Sequence, residues 1–295
     1  MTTRLPAGSV RREMPGLRSG FGYRLCRIAR VWAGIGCVSL LAACAQVQTT
    51  QSGLVGVNRT QTMSSLVSEA ELDQQAASDY RQILAQAKAQ GALDTSAAQT
   101  KRVQTIARKL IAQVGTFRPD ALNWSWEIHV LKSSEVNAWC MPGGKIAVYT
   151  GLLDQVKPTD AELAAVMGHE ISHALREHAR EQVSRQMATN IGLSILSVVT
   201  GSQAVSDLGS SLSQVMFTLP NSRANETEAD RMGVELAARA GYDPRAAITL
   251  WQKMERVGGG GQPEILSTHP SSQSRIADLQ QASQLVLPLY QGKKS

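Results

Sequence analysis

PTDAELAAVMGHEISHAL, residues 158–175, decides the reading of this chain. Thr159 is a good helix N-cap and Glu162 stands three positions on, the pair that makes a capping box, so a helix is expected to open here. Leu163, Met167, Ile171 and Ala174 recur at helical spacing and give that helix a core stripe. Inside it lies His169-Glu170-Ile171-Ser172-His173. Positions four apart differ by about 40° around a helix, so both imidazoles project from one face and can share one metal ion. Glu170 beside them is placed to take a proton from a water on that metal, the role of general base. With five His in 295 residues, chance produces this pattern about once in a few hundred such chains, and a capped helix is its confirming context.

Two imidazoles leave a catalytic zinc site one protein ligand short. Asn225-Glu226-Thr227-Glu228-Ala229-Asp230 offers the third, and helix geometry chooses within it. Glu226 and Asp230, four apart, share a face, whereas Glu228 lies about 200° from Glu226. Glu226 is therefore expected as ligand and Asp230 as the carboxylate that orients a ligating His. Glu228 is expected to face solvent. Gly233 and Ala237 continue the ligand face and are small enough to let this helix lie against the first.

Outward from these two helices the chain reads as α+β, mostly helical with a small, mainly antiparallel sheet. Residues 66–90 and 97–114 carry apolar residues at helical spacing, broken by Gly91. Asn123 to Leu131 alternates with period two, and a strand pair, Glu135 to Met141 and Lys145 to Thr150, turns at Pro142-Gly143-Gly144. Ser222 starts the second metal-bearing helix and Gly241 ends it. The apolar stretch Ile191 to Val199 is too short to span a membrane, and a flexible run, Gly258 to Gly261, precedes His269 and a final helix.

The net charge of +6 is local. Residues 1–43 hold seven Arg and one acid, Glu13, and without them 23 basic and 23 acidic residues remain. A neutral body argues against nucleic-acid binding. An Arg-rich start, the apolar run Val31 to Leu41 and Leu41-Ala42-Ala43-Cys44 have the layout of a bacterial secretion signal, and the last four residues resemble a lipobox, with Cys44 the lipidated residue and Met14 an alternative start. Residues 1–43 are thus expected to be a signal peptide, 44–65 a lipidated cysteine with a flexible Gln/Thr/Ser/Gly tether, and 66–295 a single domain. Ala45 after the cysteine implies, by resemblance to Gram-negative sorting, lipid anchoring at the periplasmic face of the outer membrane. Cys140 is then the one cysteine of the mature domain, which excludes a disulfide framework and reads as a small buried hydrophobe.

HExxH followed by E-x-x-A-D, the stretch Asn137 to Ile146 with its Pro-Gly-Gly turn, and Thr268-His269-Pro270 with Arg275 together resemble the gluzincin metallopeptidases of the HtpX and BepA group, over roughly residues 66–285. Within that group the chain is most similar to the stand-alone periplasmic lipoprotein proteases, since it lacks HtpX-like membrane helices and BepA-like TPR repeats. The resemblance implies a zincin-like fold around the HExxH helix and one Zn2+ per chain held by His169, His173 and Glu226. It also implies an endopeptidase that cleaves unfolded or misassembled polypeptides of the bacterial envelope, with a membrane reached through the lipid. A metal-binding chaperone or assembly factor for outer-membrane proteins, with little proteolysis, is the alternative. His269 stays open between a displaceable fourth ligand that gates the site, an oxyanion stabiliser and a helix cap. His178, nine residues past His169, falls about 180° away and is expected to be a structural His on the core stripe, and His129 is given no role.

Overall fold

The computed structural model describes residues 44–293, apart from 66, 188, 190–211, 258–262 and 271–272. The chain enters as a small antiparallel pair, β1 (Cys44–Val47) on β2 (Gln61–Ser64), with Cys44 opposite Ser64. This segment is where a solvated tether was expected. It is instead folded down: Val55, Val57 and Met63 are buried, Glu235 accepts from the Leu54 and Val55 amides, and Arg59 reaches into a cluster of carboxylates. Residues 44–65 are accordingly packed on the folded body. Low sequence complexity hid three apolar anchors and one arginine.

Two capped helices follow, α1 (Glu69–Ala89) and α2 (Ala97–Ile111), separated at Gly91, whose φ of +62° stops the first. Ser68 and Glu71 form a capping box on α1. Tyr80 of α1 donates to the Ile146 carbonyl at 2.6 Å and pins the helix to the sheet.

The sheet has the order β3 (Glu127–Leu131), β5 (Lys145–Tyr149), β4 (Ala138–Met141), with β3 and β5 parallel and β4 and β5 antiparallel. The Pro142-Gly143-Gly144 turn is made by two glycines at φ +69° and +81°. Trp124 and Trp126, expected at the start of the first strand, precede it and pack stacked on the core. β4 is left as the edge strand beside the helix that the sequence singled out.

That helix, α3 (Asp160–Leu175), carries the expected capping box of Thr159 and Glu162 and is buried from Leu163 to Leu175. It stops at a turn over 176–177, after which residues 178–187 are helical again. Next come α4 (Leu212–Phe217), α5 (Arg223–Arg239), α6 (Ala246–Val257), α7 (Glu264–Thr268) and α8 (Gln273–Gln291). Ser222 caps α5, and Gly241 at φ +84° follows its end. α5 lies across α3 backbone to backbone, touching at Gly168 and Gly233. The architecture is the expected zincin-like α+β fold. Ile191 to Val199 and Gly258 to Gly261 lie outside the described residues, and among those described no helix is long and apolar enough to cross a membrane.

Candidate metal centre

The close crossing of α3 and α5 brings His169 and His173 opposite Glu226, and His269, just past α7, closes the set. One donor atom from each of these four buried residues lies within 4.8 Å of all the others. His169 Nε2 is 3.1 Å from His173 Nε2 and 3.3 Å from His269 Nδ1, and Glu226 Oε1 is 2.9 Å from His269 Nδ1. Imidazole nitrogens converging this closely need a proton or a cation between them. A nitrogen and carboxylate set of this span fits a zinc ion.

The outer sides of these donors are braced. His169 Nδ1 meets Asp230 Oδ1 at 2.9 Å, a contact that holds the ring with Nε2 turned inward. Arg275 grips Asp230 with two nitrogens, at 2.7 and 2.8 Å, and puts a third 2.9 Å from Glu226 Oε2. Its guanidinium lies over the Trp251 ring at 4.3 Å. Burial alone would lower the His169 pKa, but hydrogen bonds with Asp230 and Glu226 outweigh it and raise it to about 10. Burial likewise opposes the charge on Glu226, yet the three histidines, His269 foremost, hold its carboxyl well below the usual range. The position is electrostatically shaped for a cation.

Glu170 points into the same space. Its Oε1 is buried without a hydrogen-bond partner among the described residues, with His269 Nε2 3.7 Å away, and burial raises its pKa. A carboxylate kept dry and unpaired is costly unless a polar group comes to it. The cleft in front is lined by Ala138, Trp139 and Cys140 of β4 as well as Glu170, His173 and His269. Cys140 is buried, as expected of a small hydrophobe, and burial pushes its thiol well up. His129 lies apart, paired with Asp94 at 2.6 Å.

Two expectations are corrected. Glu228 is buried rather than solvent-facing, bonded to Arg59, Arg176 and His178. The helix-wheel argument placed it correctly on the side away from Glu226, but the entering segment covers that side. His178 is not across the helix from the ligands: α3 ends at Leu175, Glu177 takes a left-handed φ of +52°, and the turn swings the His178 ring to within 2.9 Å of His173 Nδ1. Nothing in the spacing announced that break.

Comparison with known proteins supplies the rest. The chain is 43% identical over 159 residues to the mitochondrial metalloendopeptidase OMA1 of Arabidopsis thaliana, which covers 54% of this chain and 32% of that protein. It is 38% identical over 165 residues to the human mitochondrial metalloendopeptidase OMA1, covering 52% and 31%. It is 27% identical over 202 residues to the beta-barrel assembly-enhancing protease of Escherichia coli, covering 64% and 40%. The matched part is thus about a third of the length of these OMA1 proteins. The relatives overturn the expected address at the periplasmic face of a Gram-negative outer membrane, because those of higher identity, from plant, animal and yeast, are mitochondrial proteins. An Arg-rich, acid-poor N-terminus is equally the composition of an organellar transit segment, so it did not discriminate. The lipid anchor expected at Cys44 loses its footing with that address. The model of peptidase family M48 matches residues 97–283, more than half of the chain and all of its converging donors, so the chain belongs to that family, whose members use zinc.

Proposed function

We propose that the protein is a zinc-dependent endopeptidase acting on unfolded or misassembled polypeptides, with His169, His173 and Glu226 as the metal ligands and Glu170 as general base. The observation that carries this is the buried, unpartnered Oε1 of Glu170 beside four converging donors. A metal-binding chaperone has no chemical need of that carboxylate.

Bound there, zinc supplies a Lewis acid that polarises the scissile carbonyl and acidifies a water. Glu170 takes the proton of the attacking water and delivers it to the leaving amine. Asp230 and Arg275 hold His169 and Glu226 still while charge develops. β4 is the edge of its sheet and lines the cleft, so an extended chain can align along it by backbone hydrogen bonds. That mode requires an unfolded segment. A relative named for enhancing β-barrel assembly accords with misassembled clients.

His269 completes the donor set and, with a metal held there, would take the place left open for a water. We assign it the role of a resting fourth ligand that must withdraw before turnover. Casein digestion with the purified protein, with and without a chelator and after zinc is restored, tests the reading. Cleavage that persists unchanged in the Glu170→Gln variant overturns it.

A further inference from the structure

The mechanism leaves one buried chain of side chains unused. His173 presents Nε2 to the metal position, and its other nitrogen, Nδ1, lies 2.9 Å from Nδ1 of His178. His178 Nε2 in turn lies 3.1 Å from Glu228 Oε2. Only one proton arrangement satisfies all these contacts. With Nε2 of His173 on a metal, its Nδ1 carries the hydrogen and donates to His178, whose Nε2–H then donates to the carboxylate. Glu228 is itself held from the far side, by Arg176 Nε at 3.0 Å and by Arg59 at 2.7 and 3.1 Å.

Getting His178 there is costly. Glu177 is a non-glycine residue at φ +52°, a conformation worth about 1–2 kcal/mol of strain. The turn is over-determined by its surroundings: Arg118 bonds the Leu175 carbonyl and Glu177, and Arg180 bonds the other Glu177 oxygen. Arg176 is fully buried, with contacts to Thr50 and the Arg59 carbonyl. His178 and Glu228 are also buried, where a merely structural pair can often be replaced by apolar residues at little loss.

We propose that His178 and Glu228 are positioning residues for the metal ligand His173, and that Arg59, from the segment joining β1 and β2, locks them in place. His169 is oriented by Asp230 from α5, and His173 is oriented by a second carboxylate from the same helix through an interposed imidazole. Glu226 thus precedes both bracing carboxylates on the same helix, Glu228 by two residues and Asp230 by four. The entering segment thereby becomes part of the metal centre although none of its residues touches the donor set.

The inference rests on the zinc reading above, and the test separates the two. Zinc affinity of the full chain is measured by competition with a chromophoric chelator, and the visible spectrum of the cobalt(II)-substituted protein is recorded. His178→Phe, which keeps the ring volume but neither nitrogen, is expected to weaken zinc by about 10–100-fold and to change the cobalt spectrum. His178→Gln, whose amide can accept from His173 and donate to Glu228, is expected to recover most of the affinity. Arg59→Ala is expected to weaken zinc by a smaller factor, and Arg59→Lys to restore part of it. A stably folded His178→Phe protein with wild-type zinc affinity and an unchanged cobalt spectrum overturns the proposal. Loss of the fold in His178→Phe is resolved by His178→Gln and Arg59→Ala, since unchanged affinity in Arg59→Ala together with loss in His178→Gln also overturns it. A wild-type chain that binds no zinc overturns the metal reading itself.

Discussion

Gly168 and Gly233 face each other across the α3–α5 crossing so closely that a methyl group on Gly168 would come within 2.9 Å of the Gly233 carbonyl oxygen, and one on Gly233 within 2.8 Å of the His169 amide nitrogen. Both obstacles are backbone and cannot rotate aside. Alanine in an ordinary helix stabilises relative to glycine, but here it must push the helices apart. Gly233→Ala is expected to cost about 1–3 kcal/mol in urea unfolding and to weaken zinc, because His169 and Glu226 separate with their helices. An unchanged midpoint with unchanged zinc content would show that the crossing has slack.

Glu170→Gln should retain zinc at wild-type stoichiometry and lose about 10²–10⁴-fold in kcat, because the amide keeps the shape and removes the base. Elemental analysis and casein hydrolysis check both halves. Zinc lost together with activity would mean that Glu170 supports the metal instead.

Glu226→Ala and His269→Ala should behave in opposite ways. The first removes a ligand whose charge is stabilised by three histidines, and it is expected to lose zinc and activity together. The second is expected to keep zinc through the remaining three ligands and to raise basal proteolysis, self-cleavage included. A fall in turnover with zinc retained would reject the gate and favour an oxyanion role for His269.

Asp73, on α1 beside the cleft, gives a pH signature away from the ligands. Burial, with Glu69 adding to it, pushes its carboxyl up to about 6 from an ordinary 3.8. A raised carboxyl is a liability when ionised, so the folded state gains stability as the pH falls from 6 towards 3.8 and is penalised above 6. Asp73→Asn should therefore stabilise the protein at pH 8 by about 1 kcal/mol after allowance for solvent screening of a half-buried group, with the advantage shrinking at pH 5. Denaturant midpoints at the two pH values measure it, and a gain larger at pH 5 would contradict the sign.

The sequence was most legible where one helix alone sets the geometry. The capping box, the stripe of α3 and the i,i+4 spacings of His169 with His173 and of Glu226 with Asp230 all survive in three dimensions, because each depends on helical rotation and nothing else. The same arithmetic failed for His178, since it assumed that the helix continues through Arg176 and Glu177. It failed for Glu228 in another way: the face was right, but its covering came from a segment some 170 residues away in sequence. Arg59 was invisible, one arginine in a polar stretch without period. A left-handed residue between two helical turns leaves no mark that glycine would have left. Arg275 was found through family resemblance and not through its own spacing.

The segment joining β1 and β2 bears on how far this chain can be trimmed. A fragment trimmed to residue 66, where composition suggests the domain begins, leaves Glu181 and Glu228 buried without the guanidinium that neutralises both, and Glu235 without the amides it holds. Cleavage anywhere between β2 and the start of α1 would have the same effect if the severed strand dissociated. The N-terminal arm thus belongs to the packed body, and removing it is expected to destabilise the carboxylates that it neutralises.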